Sequence, residues 1–177
     1  MRCFFAILLP EDLRDDISRV FSISDKSRAI RRIPDEFWHL NLAFCGEVEE
    51  SQIKELIRVG NRFRNRPGSL LFESLDQFPL YRAKYLIATT GIHPESAWRD
   101  FVHDLRTELK PVAPHLDNQA WVPHVTLAKA QHQTILDPWH VLLVQRSWKP
   151  KGFALIQSRV GDQKTTYRII HQFLFES

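Results

Sequence analysis

A short pattern that begins with histidine occurs twice in the chain. The first copy, at 39–43, reads His-Leu-Asn-Leu-Ala, and the second, at 124–128, reads His-Val-Thr-Leu-Ala, 85 positions later (124 minus 39). Polar and apolar residues alternate in both copies, which is typical of a β-strand with one buried face. Each histidine should therefore share a face with the polar residue two positions later, about 6.6 Å away at a rise of about 3.3 Å per residue.

Strict alternation also predicts where the other side chains of these two strands lie. The predicted site face carries His39, Asn41, Ala43, His124 and Thr126. The predicted core face carries Leu40, Leu42, Phe44, Val125 and Leu127. The small alanine beside the first polar pair would leave room for a ligand. One such pattern could arise by chance among the eight histidines, but its recurrence in register indicates a function.

Two such imidazoles suit the displacement of an oxygen at phosphorus. One imidazole takes the proton of the attacking oxygen and the other protonates the leaving oxygen, and a pKa of about 6.5 lets both act at neutral pH. Each transfer typically contributes about 10² to 10⁴ in rate. Asn41 and Thr126 would donate hydrogen bonds to the non-bridging oxygens. This chemistry requires neither a metal ion nor a cofactor.

The paired motif resembles that of the 2H phosphoesterase superfamily, in particular the RNA 2′,3′-cyclic phosphodiesterases called LigT-like or 2′-5′ RNA ligase-like proteins. The likeness covers nearly the whole chain. Residues 2–10 resemble the opening strand and turn of the family, 39–48 its first signature, and 158–159 with Tyr167 its closing hairpin. The chain departs from the family at Asn41, where threonine is usual.

The resemblance implies an α+β fold over residues 1–177, a single domain of two pseudo-symmetric lobes around a central cleft. Each lobe would be an antiparallel sheet backed by helices. The expected partner is an RNA or nucleotide end with a 2′,3′-cyclic phosphate, hydrolysed to a 2′-phosphomonoester. His124 would be the general base and His39 the general acid, although the two roles could be reversed. The same groups could run a weak 2′-5′ ligation in the opposite direction.

Three further points depend on individual residues. Lys129 stands where the family usually has a basic residue, and it either assists phosphate binding or is an edge-strand charge. Arg31 and Arg32 either border the site or form a solvated face. Phe44, Trp38 and Trp121 are candidates to stack on a base, since base stacking is worth roughly 1 to 3 kcal/mol, but such aromatic residues more often belong to the core.

Two alternatives to the enzyme remain open. The carboxamide at Asn41 could mark a protein that binds RNA ends without turning them over. A metal-dependent hydrolase could instead use His39 and His124 as ligands, but no H-x-x-x-H, C-x-x-C or carboxylate spacing completes such a site.

The composition is that of an ordinary globular protein. The 177 residues are 44% hydrophobic and 25% charged, and the formal net charge of +3 favours an anionic partner. Cys3 and Cys45 lie within predicted strands, which indicates buried thiols in a reducing compartment. The apolar run at 3–9 is too short to span a bilayer. We therefore expect a cytoplasmic monomer that does not contact a membrane.

The remaining segments are assigned by periodicity and turn residues. Strands are predicted at 2–8, 69–75 and 84–90, with a closing hairpin of 153–160 and 166–175. Helices are predicted from Pro10, from Ser51 as the cap to 67–68 as the stop, and from 93–95 to Pro111. The polar stretch 22–32 is left without regular structure, and 139–144 fits a strand or a helix equally well.

Overall fold

The structure is a computed structural model that describes residues 1–24, 30–78, 85–93, 95–130, 140–161 and 165–176. The strands and helices follow one another along the chain in the order β1 (Arg2–Leu8), α1 (Glu11–Ser24), β2 (Ile30–Arg32), β3 (His39–Glu47), α2 (Ile53–Gly60), β4 (Ser69–Phe78), β5 (Tyr85–His93), α3 (Glu95–Leu109), β6 (His124–Ala130), β7 (His140–Trp148), β8 (Gly152–Val160) and β9 (Thr165–Leu174). Short 3₁₀ turns at Asp35–Phe37 and Glu50–Gln52 precede β3 and α2.

The strands of the described residues form one antiparallel sheet of two similar halves. Their order is β7-β4-β5-β6-β3-β1-β8-β9, and the short strand β2, which is not part of this order, pairs with β6. In one half β1 is followed by α1 and then β3, and in the other β5 is followed by α3 and then β6. The order therefore reads alike from either end, with the two histidine-bearing strands in the middle. The α+β class and the two pseudo-symmetric lobes are confirmed.

The helices cover one side of the sheet with the apolar stripes that the sequence predicts. In α3 the side chains of Trp98, Val102, Leu105 and Leu109 are at most 1% exposed. The corresponding stripe of α1 is buried in the same core cluster as the inward-facing residues of β3 and β6. This burial fixes which face of each central strand meets the helices, and so which face is left for a ligand.

A β-bulge in β3 overturns part of the predicted alternation. Phe5 of β1 pairs with Ala43 but the next residue of β1 pairs with Asn41, so Leu42 is an extra residue in β3. Leu42 and Ala43 are both fully buried. Phe44 is consequently turned to the same face as His39. The prediction that Ala43 lies on the site face and Phe44 on the core face was wrong, because alternation reverses at a bulge.

The second motif contains the same bulge at the same position. In the pairing of β5 with β6 the register shifts so that Leu127 is the extra residue, and Leu127 and Ala128 are both fully buried. Lys129 then lies on the face of His124 and Thr126, whereas unbroken alternation would have turned it to the core. The Leu-Ala pair that ends both motifs therefore belongs to a repeated backbone feature.

Several predicted boundaries change in the structure. α2 follows a 3₁₀ turn with a capping box formed by Glu49 and Gln52, so Ser51 is not the cap, and the helix ends at Gly60. The short strand β2 was not predicted. The undecided segment at 139–144 is a strand from His140 onwards, whereas residue 139 lies outside the described residues, as do Lys84, Pro94 and Asp162.

The two cysteines are free and buried, as predicted. Burial raises the pKa of the Cys3 thiol to about 11 and that of Cys45 to about 12, so both stay protonated and unreactive at neutral pH. None of the helices in the described part of the chain is long and apolar enough to cross a bilayer.

Candidate active site

The backbone orients the two histidines in the same way. Nδ1 of His39 lies 2.7 Å from the Phe37 carbonyl oxygen, and Nδ1 of His124 lies 2.7 Å from the Val122 carbonyl oxygen, in each case two residues upstream. A carbonyl oxygen can only accept, so Nδ1 must carry the proton in both rings. In a neutral ring Nε2 is then the basic nitrogen, and both histidines have the tautomer that an acid or base acting through Nε2 requires.

The four polar side chains of the motifs meet where β3 and β6 pair. The two strands are in register at a single position, Leu40 with Val125. Antiparallel pairing there puts His39 next to Thr126 and Asn41 next to His124, all on the face opposite that pair. The histidines lie on one diagonal of this group and the hydrogen-bonding residues lie on the other.

An aromatic wall encloses His39. Its ring centroid lies 4.9 Å from that of Phe4 and 5.4 Å from that of Tyr167, which meets it edge to face. Phe37 packs against Tyr167 in turn, with their ring centroids 5.3 Å apart. Phe44, which the bulge turns to this face, stacks on Phe4 with a centroid distance of 6.1 Å. Of these residues only Phe44 and Tyr167 could be singled out from the sequence.

This enclosure lowers the pKa of His39. Burial is the main cause because it disfavours the charged imidazolium, and the positive charge of nearby His124 acts in the same direction. The hydrogen bond with the Phe37 carbonyl opposes them. The two imidazoles are therefore near enough for the charge of one to affect the other.

Two side chains from the second lobe donate hydrogen bonds to backbone carbonyl oxygens of β3. These oxygens belong to residues that follow Leu40, where β3 pairs with β6. Trp121 Nε1 donates to the Asn41 carbonyl oxygen at 2.8 Å, and Arg106 Nε donates to the Leu42 carbonyl oxygen, at the bulge, at 2.9 Å. Arg106 Nη1 also donates to the Gln119 carbonyl oxygen at 2.7 Å. These bonds fix the loop that leads into β6 against β3, and so hold the two motifs together.

The predicted phosphate-binding residues have different surroundings. The Asn41 side chain is partly exposed, but its Oδ1 atom is buried without a hydrogen-bond partner among the described residues. Thr126 is partly exposed beside His124, and Lys129 is exposed further along the same face of β6.

Trp38 and two further histidines lie outside this group. Trp38 is 1% exposed and donates from Nε1 to the Ile33 carbonyl oxygen, so it belongs to the core and cannot stack on a ligand. His103 and His115 are exposed elsewhere. In the described part of the chain no three His, Cys, Asp or Glu side chains come close enough together to hold a metal ion.

Comparison with known proteins gives concordant results. The sequence model of the 2′-5′ RNA ligase superfamily matches residues 4–160. A curated relative named RNA 2′,3′-cyclic phosphodiesterase, from Thermus thermophilus, is 26% identical over 181 residues, which is 98% of this chain and 89% of the relative. One of the same name from Escherichia coli is 27% identical over 138 residues, which is 77% of this chain and 76% of the relative.

Solved structures share the fold. A crystal structure of a protein from Thermus thermophilus superposes with a TM-score of 0.87 at 22% identity, covering 99% of this chain and 98% of that one. The crystal structure of Escherichia coli LigT complexed with 3′-AMP gives a TM-score of 0.81 at 24% identity, with the same coverage.

The aromatic wall generates a prediction about His39. Replacing Tyr167 by serine opens the wall to water, which stabilises the imidazolium, so the pKa of His39 should rise toward its ordinary value. Tyr167→Phe keeps the ring and should leave the pKa where it is. Titration of the imidazole C–H resonances by NMR measures both. An unchanged His39 pKa in Tyr167→Ser would show that this ring does not enclose the histidine.

Proposed function

The chain belongs to the 2′-5′ RNA ligase superfamily, and from this premise we propose that it hydrolyses 2′,3′-cyclic phosphates at RNA or nucleotide ends to 2′-phosphomonoesters without a metal ion. The observation that carries the proposal is the placement of His39 and His124, in one tautomer, on one face at the junction of two pseudo-symmetric strands. The names of the curated relatives, RNA 2′,3′-cyclic phosphodiesterase, agree with it.

In the proposed reaction the cyclic phosphate lies between the two histidines. Water attacks phosphorus as the bond from phosphorus to the 3′ oxygen breaks, and the two events occur on opposite sides of the phosphorus. Following the resemblance, His124 takes a proton from water and His39 gives one to the departing 3′ oxygen. With the 5′-hydroxyl of a second strand in place of water, the same pair would catalyse a 2′-5′ ligation: His124 takes the proton of that hydroxyl, its oxygen bonds to phosphorus, and His39 protonates the departing 3′ oxygen.

Because the pKa of His39 is lowered, the substrate itself affects the protonation of this residue in the proposed scheme. Burial keeps His39 neutral in the empty cleft at neutral pH, yet a general acid must start protonated. An anionic phosphate beside the ring favours the imidazolium and opposes the burial effect. Binding of the substrate thus promotes protonation of the acid that its own leaving group needs.

The other polar residues hold the phosphate in this proposal. The Asn41 amide and the Thr126 hydroxyl donate to the non-bridging oxygens, where negative charge increases in the transition state. Lys129 adds a positive charge further along the same face of β6. Phe44 lies on the same face as His39 and offers an aromatic surface for a base.

Removing either histidine should abolish most of the activity. With a dinucleotide 2′,3′-cyclic phosphate in excess EDTA, His39→Ala and His124→Ala should each lower kcat by about 10² to 10⁴, the contribution of one general acid or base. His103→Ala, on the exposed face of α3, is the matched control and should keep the wild-type rate. Near-full activity in either site variant would disprove the acid–base pair.

The same assay separates the proposal from its two rivals. A wild-type protein that binds the dinucleotide but does not turn it over would be an RNA-end binder. Activity that EDTA abolishes would indicate a metal-dependent hydrolase.

A sulfur substitution identifies the acid. A substrate whose 3′ bridging oxygen is sulfur leaves as a thiolate, which needs no proton from the enzyme. His39→Ala should therefore recover most of its lost rate on this substrate, whereas His124→Ala should stay slow because water still needs its base. Recovery by His124→Ala alone would reverse the assignment.

The role of Asn41 is tested by two substitutions that keep or remove its donor. Asn41→Asp has nearly the same shape, but its carboxylate cannot donate and repels a phosphate, so kcat/KM should fall by about 10²-fold or more, the loss of one charge-stabilising donor. Asn41→Thr keeps a donor and should stay within about tenfold of wild type. If the aspartate variant is as active as the threonine variant, Asn41 does not bind the phosphate. Thermal unfolding of each variant checks that it is folded.

A further inference from the structure

Two adjacent arginines in β2 point in opposite directions. β2 pairs antiparallel with β6 so that Arg32 lies opposite Ala128 and Arg31 lies opposite Lys129. Residues directly opposite each other in an antiparallel pair have their side chains on the same face. Because Ala128 faces the core and Lys129 faces the site, the register assigns the two arginines to different sides of the sheet.

The contacts of Arg32 agree with this assignment. Its guanidinium carbon lies 5.0 Å from the centre of the Phe21 ring and 5.6 Å from that of the Trp38 ring, and Nη2 donates to the Ser18 hydroxyl. These partners belong to the helix side of the sheet, so Arg32 covers the edge of the core. Arg31, the next residue along an extended strand, must then project on the side of the motif histidines.

Arg31 and Lys129 therefore form a pair of like charges across two neighbouring strands. Like charges directly opposite each other destabilise a sheet. The Arg31 side chain is exposed and makes no hydrogen bond or ion pair within the described part of the chain. Its guanidinium suits phosphate because the planar fork can donate two hydrogen bonds.

The position of Arg31 and Lys129 relative to the second motif indicates which anion they would bind. The bulge makes Lys129 the next residue after Thr126 on the site face, about 6.6 Å along the strand. Arg31 lies on the neighbouring strand β2, about 5 Å across from Lys129. Starting from the phosphate of the proposed reaction, Lys129 comes first and Arg31 next, so Arg31 is placed roughly where the neighbouring phosphate of a nucleic acid strand would lie.

We propose that Arg31 binds the internucleotide phosphate adjacent to the terminal cyclic phosphate, with Lys129 between the two. This inference rests on the proposed function and specifies its substrate class: oligonucleotide ends are preferred to mononucleotides because they supply a second phosphate. Arg31 acts on binding and leaves the chemistry at the cyclic phosphate to the motif residues.

The test compares three substrates that end in a 2′,3′-cyclic phosphate. They are a mononucleotide, a dinucleotide with an ordinary phosphate linkage, and the same dinucleotide with an uncharged methylphosphonate linkage. The two dinucleotides offer the same bases for stacking and differ only in the charge of the linkage. Wild type should prefer the charged dinucleotide about tenfold in kcat/KM, the effect of one charge-assisted hydrogen bond.

Arg31→Gln should remove this preference and leave the mononucleotide and the uncharged dinucleotide within about twofold of wild type. The dependence of log kcat/KM on log salt for the charged dinucleotide should become shallower by about 0.7, as expected for one lost phosphate contact to a single strand. Arg58→Gln changes the net charge equally on exposed α2, where Arg58 pairs with Glu55, and should behave as wild type.

Other outcomes overturn the inference. An equal loss on all three substrates would place Arg31 at the cyclic phosphate itself, and no loss on any would make it a solvated surface charge. If wild type hydrolyses none of them, the proposed function is wrong, and calorimetric dissociation constants for the two dinucleotides then decide the role of Arg31. An affinity ratio that Arg31→Gln does not change would refute the second phosphate site.

Discussion

The candidate site depends on the pairing of β3 with β6, which is limited to one position, Leu40 with Val125. Where two strands pair along their length, their backbone N–H and C=O groups form hydrogen bonds with each other. Where the strands diverge, the carbonyl oxygens that face the gap need other donors. β3 receives them from Trp121 and Arg106, whose side chains bond the carbonyl oxygens of residues 41 and 42. The junction is thus held by bonds across the lobes even where the two strands no longer pair.

The same backbone feature produces opposite chemistry in the two lobes. Each motif strand has a bulge at its leucine, and in each case the bulge turns the residue after the alanine to the site face. In the first lobe that residue is Phe44, which joins the aromatic wall around His39; in the second it is Lys129. The symmetric frame therefore holds one histidine among apolar rings, whereas the strand of the other carries a cation further along the same face. Two histidines in equivalent positions acquire different surroundings in this way.

Much of the site could be predicted from the sequence because the motif is local. A histidine and a polar residue two positions apart share a face in any extended strand, and a repeat in register points to two such strands. The faces of Ala43 and Phe44 could not be predicted in this way, because a bulge is set by the register of the partner strand, which is β1 for one motif and β5 for the other.

The same limit applies to Arg31. Its strand is short and lies in a polar stretch, and its pairing with β6 joins residues almost one hundred positions apart in the chain. Periodicity within a few residues contains no information about such a partner. The sequence could therefore suggest that Arg31 and Arg32 border the site, but only the register separates the one that covers the core from the one on the face of the motif histidines.

The buried Oδ1 atom of Asn41 bears on the phosphate contact proposed for this residue. A buried polar atom without a partner costs about 1 to 3 kcal/mol, and Oδ1 has none among the described residues. The amide has one end that accepts and one that donates. With the acceptor enclosed against protein, the donor is the end left for the ligand, and a donor is what the non-bridging oxygens of a phosphate need. Under the proposed function, the orientation that leaves Oδ1 without a partner is thus the one that turns the amide donor toward the phosphate.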